Sequence, residues 1–211
     1  MNIEQNVGRV ERGKRKKREA LILAGRKVMA EKGIDAATMS EIAQIADVGA
    51  GTVYSYFNSK EELAVAVLET LMRELAVKIQ NVTDNFTDPA QVYAFGVRTV
   101  LDTATRDPRW KQLLYRSELI AGAMFRSMGP YAMRDLKNAT EAGRFFVTDP
   151  TVTWHLATFS IVGFALFLTE NAPDSESYEN YVQEAIVRIL CMTGIGLEDA
   201  KDLASRERPS I

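Results

Sequence analysis

Apolar residues recur at helical spacing along most of this 211-residue chain, and no convincing run alternates between apolar and polar residues. Recurrence every three to four residues is typical of an amphipathic helix, whereas strict alternation is typical of a strand. The run that follows Ser59 shows the pattern clearly, with Leu63, Val67, Leu71 and Leu75 on one face. The sequence therefore predicts an all-α fold of about nine helices.

Capping residues and glycines mark where the first helices begin and end. Thr38 and Glu41 have the spacing of a capping box, in which the hydroxyl caps a new helix and the carboxylate bonds back to the cap. Ser59 to Glu62 repeats this pattern before the long fourth helix. Gly33 is expected to end the first helix, which we place over residues 15–32.

Two short helices joined by a tight turn follow the first helix, and together they describe a helix-turn-helix unit. In such a unit the second short helix enters the major groove of DNA. Val53 and Phe57 are expected in the small core, which leaves Tyr54 and Tyr56 pointing away from it. A phenol suits a duplex surface, because its hydroxyl reaches a phosphate and its ring packs on sugar or a thymine methyl.

Charge is distributed unevenly along the chain. Residues 1–60 carry 11 Lys and Arg against 7 Asp and Glu, whereas the remaining residues carry 15 against 21. This asymmetry predicts a basic N-terminal module that faces a polyanion. The run Lys14, Arg15, Lys16, Lys17 and Arg18 precedes the apolar part of the first predicted helix. We interpret it as an arm that follows the DNA backbone or the minor groove, with a solvated tail as the alternative.

Other classes of protein find little support in the sequence. Cys191 is the single cysteine and His155 the single histidine, and no HExxH, CxxC, GxSxG or phosphate-binding glycine loop occurs. We therefore expect no enzyme activity, no metal site and no cofactor. The longest apolar stretch, residues 156–168, is shorter than the ~18 residues of a membrane span. With no signal-peptide pattern at the N-terminus, these features predict a cytoplasmic protein that does not bind membranes.

Residues 18–63 resemble the N-terminal domain of tetracycline-repressor (TetR) family regulators. The motifs that carry the resemblance are Glu31-Lys32-Gly33, Ile42-Ala43, Gly51-Thr52-Val53-Tyr54, Tyr56-Phe57 and Ser59-Lys60-Glu61-Glu62-Leu63. The resemblance implies that residues 1–60 form a DNA-binding domain and residues 61–211 a helical ligand-binding and dimerisation domain. Its partners would be a double-stranded DNA operator, a second copy of the chain and a small hydrophobic ligand.

The resemblance also assigns DNA contacts to individual positions. The predicted DNA-binding residues lie in the basic arm, the two short helices and the start of the fourth helix: Lys14, Arg15, Lys16, Lys17, Thr38, Ser40, Gly49, Ala50, Gly51, Thr52, Tyr54, Ser55, Tyr56 and Lys60. This chain departs from the family at the turn, where Asp47-Val48-Gly49-Ala50 replaces a frequent Gly-Val-Ser and a polar residue. Direct base readout is therefore expected to be modest, with DNA shape contributing more.

The predicted helix from Thr151 to Glu170 is apolar on almost every side, so all of its faces must be covered. Together with the last long helix, from Ser175 to Thr193, it looks like the dimer interface of the resembling family. Symmetric dimers are the commonest oligomers, and a monomeric core is the alternative. The predicted interface residues are Phe159, Gly163, Phe167, Val182, Ala185 and Ile189.

Aromatic residues and methionines of the second domain could line a cavity for an apolar ligand. The predicted pocket residues are Met72, Trp110, Leu114, Tyr115, Met124, Phe125, Met128, His155 and Phe159, each of which could instead be ordinary core. Together with the family resemblance, these residues imply a repressor that a small hydrophobic effector releases from a palindromic operator. A regulator without a ligand, or an activator, is the alternative, and a helical enzyme is a distant one.

Overall fold

The structure is a computed structural model that describes residues 3–171, 174–206 and 209, without the side chains of residues 3–7, 9, 10, 108 and 109. Eleven α-helices and no strand occur among these residues, so the all-α prediction is confirmed. The predicted helix after Asp107 is divided in two at residues 115–116, and a short helix follows the last long one, so the number rises from the expected nine to eleven.

The chain divides into two compact units, Met1–Leu68 and Glu69–Ile211. The first contains α1 (Ile3–Ala36), α2 (Met39–Ile45), α3 (Ala50–Tyr54) and the start of α4 (Lys60–Thr83). The second contains the rest of α4 and seven further helices. These are α5 (Pro89–Arg106), α6 (Pro108–Leu114), α7 (Ser117–Ser127), α8 (Gly129–Glu141), α9 (Pro150–Asn171), α10 (Ser175–Cys191) and α11 (Leu197–Ser205). The division falls inside α4, whereas the sequence predicted a boundary at residue 60, where this helix begins.

The first helix begins well before the predicted residue 15. It therefore includes the whole basic run, which was interpreted from the sequence as an arm. Lysine, arginine and glutamate are good helix formers, and pairs of opposite charge one turn apart support a helix. Lys14 lies 3.6 Å from Glu11, and Arg15 lies 3.6 Å from Glu19. The predicted end is close to Gly33, whose φ of 85° interrupts the helical backbone.

The second unit is built around α5 and α9. Helix α5 contacts α8, α9, α10 and α11, and α9 contacts α6, α7, α8 and α10 as well. The buried guanidinium of Arg98 on α5 donates to Asp102 at 3.1 Å and, on α10, to Glu179 at 2.8 Å and Gln183 at 3.2 Å. A buried charge requires such partners, so this cluster fixes α10 against α5.

Asp88 joins three separate segments of the second unit. Its carboxylate caps α5 by accepting from Ala90 N at 3.0 Å, and it accepts from Arg144 at 3.1 and 3.2 Å and from Arg206 at 2.7 Å. Partial burial alone would raise the pKa of Asp88, but the hydrogen bonds from Arg206 and Arg144 outweigh it and lower this pKa.

We expect Asp88→Asn to lower the free energy of unfolding of the second unit by roughly 1–2 kcal/mol at pH 7, because hydrogen bonds to a charged group are lost. Asparagine still caps a helix, so the effect isolates the charge. A lowered pKa means that the stabilisation is present above the unfolded value of about 4 and disappears as the pH falls through the folded pKa. Urea unfolding at pH 7 and pH 3 measures both effects.

Asp202→Asn is the matched control, because Asp202 also pairs with Arg206 but is mostly exposed. We expect a change below about 0.5 kcal/mol for it, as for other exposed ion pairs. An equal effect of the two substitutions at pH 7 would mean that Asp88 does not hold these segments together.

Helix α9 is long and apolar enough to cross a membrane by length and composition, unlike the shorter stretch counted in the sequence. One such helix is weak evidence, because the core helix of a soluble protein passes the same test. Trp154, Ala157, Ile161 and Ala165 on one side of α9 are buried among the other helices of the second unit. Helix α9 is therefore a core helix of this unit with a second apolar face.

Candidate DNA-binding surface and ligand cavities

The capping box at the start of α2 forms as the sequence predicts. Thr38 Oγ1 accepts from Glu41 N at 3.3 Å, and Glu41 Oε2 accepts from Thr38 N at 3.1 Å. The Thr38 hydroxyl also donates to Glu41 Oε2 at 2.8 Å, and Lys32 Nζ pairs with Glu41 Oε1 at 2.5 Å. Hydrogen bonds from Lys32 and then Thr38 lower the pKa of Glu41. The Thr38 hydroxyl is thus engaged in the cap rather than free for a phosphate.

The turn between α2 and α3 has two features that bear on DNA contact. Asp47 adopts a φ of 52°, a left-handed conformation that asparagine, aspartate and glycine tolerate best. Gly49 is the N-cap residue of α3, and it provides no side chain to cap the helix. The carboxylate of Asp47 is exposed at this turn.

The segment from α3 to Phe57 has a buried side and an exposed side. Val53 and Phe57 are completely buried in the core of the first unit, whereas Tyr54 is 55% exposed. The guanidinium of Arg18 lies 5.0 Å from the centre of the Phe57 ring and covers it. The predicted core positions of Val53 and Phe57 are therefore confirmed. Tyr56 is half-buried, so it faces the solvent less than Tyr54 does.

The other predicted DNA-binding residues also lie at or near the surface of the first unit. Exposed residues are Lys14, Arg15, Lys16, Lys17, Thr38, Ser40, Gly49, Ala50, Gly51 and Ser55, and half-buried residues are Thr52 and Lys60. Two of their polar groups donate to backbone carbonyls. Ser55 Oγ donates to Thr52 O at 2.6 Å, and Lys60 Nζ donates to Asp35 O at 2.5 Å. The contact of all the predicted residues with DNA remains a prediction.

The start of α4 differs in one detail from the predicted capping box. Ser59 Oγ accepts from Glu62 N at 3.1 Å, as expected. The Glu62 carboxylate, however, accepts from Asn58 N at 2.7 Å and from Asn58 Nδ2 at 2.9 Å, one residue before the cap. Asparagine offers two donors there, so the carboxylate secures the turn that leads out of α3.

Four predicted pocket residues, Met72, Trp110, Leu114 and Met124, line a common gap in the second unit. Its volume is only about 10 Å³, close to the minimum for one water molecule. Tyr115, His155 and Phe159 are exposed and line neither this gap nor the larger cavity described below. Phe125 is half-buried, and its ring centre lies 3.7 Å from that of His155. These four residues line neither of the two cavities, and their role in a ligand pocket remains a prediction.

A larger cavity of about 40 Å³ lies beside the gap and shares Val100 and Ile161 with it. It lies between α4, α5, α8 and α9, and Met128 is the one predicted pocket residue in its wall. Three of its polar residues were not identified as pocket residues from the sequence: Tyr93, Asp135 and Trp154. The sequence offered one signal for this polar site. Asp135 is a charged residue directly beside Leu136, which is buried with Ala139 of α8 and with Met128 just before this helix.

The predicted dimer residues fall into two groups. Val182 and Ile189 are buried inside the protomer, so their prediction as interface residues is wrong: this side of α10 packs on its own unit. Phe159 is 62% exposed and Phe167 is 41% exposed, Gly163 is also exposed, and Ala185 is half-buried. The remaining face of α9 and α10, here called the α9–α10 face, presents Val152, Leu156, Phe159, Gly163, Phe167, Tyr181 and Met192.

The α9 part of the α9–α10 face is apolar. Its α9 residues are spaced by three or four positions, which places them on one side of the helix. The ring of Phe167 contacts Phe164 at 5.5 Å and Tyr181 at 5.9 Å between centroids, and so joins the two helices. An exposed apolar patch of this kind marks an interaction surface. Among the described residues, no group of three or more His, Cys, Asp or Glu could hold a metal ion.

Comparisons with known proteins connect both units to one family. Residues 21–67 match the model of bacterial regulatory proteins of the tetR family, and residues 88–206 match that of the tetracyclin repressor-like C-terminal domain. The chain is 29% identical over 126 residues to the HTH-type transcriptional activator FasR of Mycolicibacterium smegmatis. This match covers 60% of the chain and 54% of FasR, so the chain spans about half the length of that relative.

Two crystal structures of RolR extend the likeness to nearly the whole chain, each at 28% identity. RolR in complex with its ligand resorcinol has a TM-score of 0.85, covering 95% of this chain and 99% of RolR. RolR without ligand has a TM-score of 0.80, and the match covers 92% of this chain and 99% of RolR. With a helix-turn-helix in its first unit and family models matching both units, this chain belongs to the TetR family of DNA-binding transcriptional regulators.

Proposed function

We propose that two copies of this chain bind an operator of two symmetric half-sites, repress transcription there, and leave it when a small molecule binds the second unit. The observation that carries the DNA-binding part is the orientation of α3. Val53 and Phe57 anchor this segment in the core, so Gly51, Tyr54 and Ser55 are held outward. A recognition helix needs this arrangement, because its outer residues must reach into a groove without loss of the fold.

The α9–α10 face supports dimerisation. Phe159 and Gly163 lie on its α9 side, where no atom within 4 Å would meet a Cβ added at Gly163. A partner helix can therefore approach closely at this position. Two copies that pair through the same face form an isologous interface and are related by a two-fold axis. The same axis would relate the two recognition helices and make the operator an inverted repeat.

The RolR–resorcinol complex supports a small effector for this chain as well. The cavity of about 40 Å³ is the site we propose, because it combines apolar walls with several polar groups. Ala76 and Ile79 of α4 form part of its wall. A ligand in the cavity would therefore touch the helix that begins, at Lys60, in the DNA-binding unit.

This contact with α4 provides a route for release. A molecule larger than the cavity binds only when the walls move apart, so it favours a state with a displaced α4. If that state separates the recognition helices unfavourably, operator affinity falls, and coupling of about 1–3 kcal/mol is typical. By reciprocity, the effector then binds more weakly when operator is present.

Activation is the second candidate outcome, because FasR is named an activator. Transcription from a promoter that carries the selected operator, with and without the protein, distinguishes the two. We further propose that the protein has no enzymatic activity and resides in the cytoplasm, since its relatives are regulators that act on DNA.

The basic residues of α1 offer a test of the DNA-binding part. We expect replacement of Lys14, Arg15, Lys16 and Lys17 by glutamine to weaken binding to duplex DNA and to flatten the dependence of log affinity on log salt. Each lost phosphate contact reduces the slope by about 0.9. Glutamine keeps the helix propensity, so circular dichroism is expected to be unchanged. Fluorescence anisotropy between 50 and 300 mM salt measures the slope.

Replacing Lys78 and Lys137 by glutamine is the control, since both are exposed and lie in the second unit. Their loss is expected to leave the slope unchanged. If the α1 variant kept the wild-type slope, the basic run of α1 would not contact DNA.

A further inference from the structure

Two residues that line the 40 Å³ cavity carry a buried polar group without a hydrogen-bond partner among the described residues. The two groups are the hydroxyl of Tyr93 on α5 and the indole Nε1 of Trp154 on α9; both residues are at most 3% exposed and line the cavity. Buried polar groups are almost always hydrogen-bonded. Whatever enters the cavity is therefore expected to satisfy an N–H donor and a hydroxyl.

Asp135 on α8 is the third polar group in the cavity wall. Its carboxylate is 13% exposed, and its Oδ1 accepts from Arg134 Nε at 3.0 Å and Nη2 at 2.9 Å. Arg134 is itself held over the ring of Tyr131, 5.6 Å from its centre. Both bonds from Arg134 reach Oδ1, so Oδ2 can accept from another donor. Burial raises the pKa of Asp135 more than Arg134 lowers it, which is the mark of a desolvated carboxylate.

The charges around the cavity select against ionic ligands. An anion would meet the carboxylate of Asp135, whereas a cation would gain little there because Arg134 already neutralises this carboxylate. Trp154 Nε1 can only donate and an ionised Asp135 can only accept, so the ligand must supply both an acceptor and a donor. Burial and the nearby Asp135 raise the pKa of Tyr93, which keeps its phenol protonated and able to do either. A hydroxyl group is the simplest uncharged group that both donates and accepts.

The apolar part of the wall limits the size and shape of the ligand. The apolar side chains that line the cavity include Val97 of α5, Met128 just before α8 and Ile161 of α9. A volume of about 40 Å³ has room for two or three water molecules, and a single ring requires the wall to open. Met128 is the most adaptable side chain there, because methionine is unbranched and flexible.

We propose that this cavity binds a small uncharged ring compound with at least two hydroxyl groups, one donating to Asp135 and another accepting from Trp154 Nε1. The ring is suggested by the RolR ligand resorcinol, which is 1,3-dihydroxybenzene, whereas the two hydroxyl roles follow from the cavity of this chain. Tyr93 completes the site as a donor or acceptor for either hydroxyl. The proposal rests on the proposed function, since it names the chemical class of the effector. It goes further in assigning recognition to three side chains on three different helices.

Five benzene derivatives of similar size test the proposed class on the full chain without DNA. They are 1,3-dihydroxybenzene, phenol, 1,3-dimethoxybenzene, 3-hydroxybenzoate and 3-hydroxybenzylamine. The chain has two tryptophans, so its 1H–15N spectrum contains two indole N–H signals, and Trp110→Phe identifies that of Trp154. We expect 1,3-dihydroxybenzene to shift the Trp154 signal and to bind at least ten-fold more tightly than the four other compounds.

Three variants test the assigned side chains. Asp135→Asn is expected to weaken binding of 1,3-dihydroxybenzene at least ten-fold, whereas Glu141→Gln, an exposed carboxylate on the same helix, leaves it unchanged. Gly129→Ala provides a test without a change of charge, since its added Cβ would lie 3.2 Å from Trp154 Nε1 and obstruct the N–H. Thermal unfolding of each variant verifies that it is folded.

Different results would overturn the proposal or the proposed function. Equal binding of 1,3-dimethoxybenzene, an unmoved Trp154 signal, an unchanged affinity in folded Asp135→Asn, or no binding by any probe would each overturn the ligand class. In the last case the cavity would hold water only, while operator binding by the same preparation would leave the DNA-binding function intact. Binding of 1,3-dihydroxybenzene with no change in operator affinity would uphold the site and refute its role in release.

Discussion

A carboxylate introduced by Gly163→Glu is expected to convert the dimer to monomers and to reduce operator affinity by at least about 100-fold. Gly163 lies on the α9–α10 face beside the exposed ring of Phe159, where a two-fold axis would bring two new charges together. Burying unpaired like charges costs more than such an interface recovers. Loss of the dimer lowers operator affinity, because two linked recognition helices bind two half-sites far more tightly than one helix binds a single half-site.

The protomer itself is expected to tolerate this substitution. A Cβ at Gly163 meets no atom within 4 Å, and glutamate is a better helix former than glycine. Gly163→Ala is the matched control, and we expect it to stay dimeric and bind operator as the wild type does. Sedimentation equilibrium and anisotropy on the same samples measure both effects. A wild-type monomer at micromolar concentration, or tight operator binding by a monomeric Gly163→Glu, would refute the dimer.

Tyr54→Ala is expected to reduce operator affinity by about 1–3 kcal/mol, or roughly 5- to 150-fold, without unfolding the first unit. The ring of Tyr54 is 55% exposed, so its removal opens no cavity. Phe57→Ala is the contrasting substitution three residues later. Phe57 is completely buried, and its loss is expected to destabilise the first unit by about 3–5 kcal/mol.

Tyr54→Phe separates the two contributions of the phenol. If the hydroxyl binds a phosphate, Tyr54→Phe loses part of the affinity that Tyr54→Ala loses, and if only the ring packs on DNA, it loses none. Circular dichroism verifies that each variant is folded, and fluorescence anisotropy measures its affinity for the operator. Full operator binding by Tyr54→Ala, or its unfolding, would contradict the placement of this side chain on the DNA-facing surface.

The helix-turn-helix could be predicted from the sequence because its determinants are local. Thr38 and Glu41 form their capping box within four residues. Helical geometry places the neighbouring residues Val53 and Tyr54 on different sides of α3, one buried and one exposed. The helical state of the basic run was missed for a related reason. Charged residues carry no apolar periodicity, and only their pairing, such as that of Arg15 with Glu19, indicates a helix.

The second unit was harder to predict because its helices are apolar on more than one face. Periodicity shows that α10 has an apolar stripe, but it does not tell whether Val182 faces its own unit or a partner. For the same reason Phe159 was assigned both to a pocket and to an interface, and the structure places it at the surface. The polar cavity depends on side chains from three helices, so no single segment of sequence contains its pattern.

Selection of duplexes from a random library by the wild-type protein tests the central claim most directly. A two-fold dimer that presents α3 predicts enrichment of an inverted repeat, with half-sites about 34 Å apart along the duplex or a multiple of this spacing. The enriched duplex is expected to bind one dimer, and its affinity to fall in Tyr54→Ala and in Gly163→Glu. Enrichment of an asymmetric single site, or of no sequence at all, would contradict the account of this chain as a dimeric operator-binding regulator.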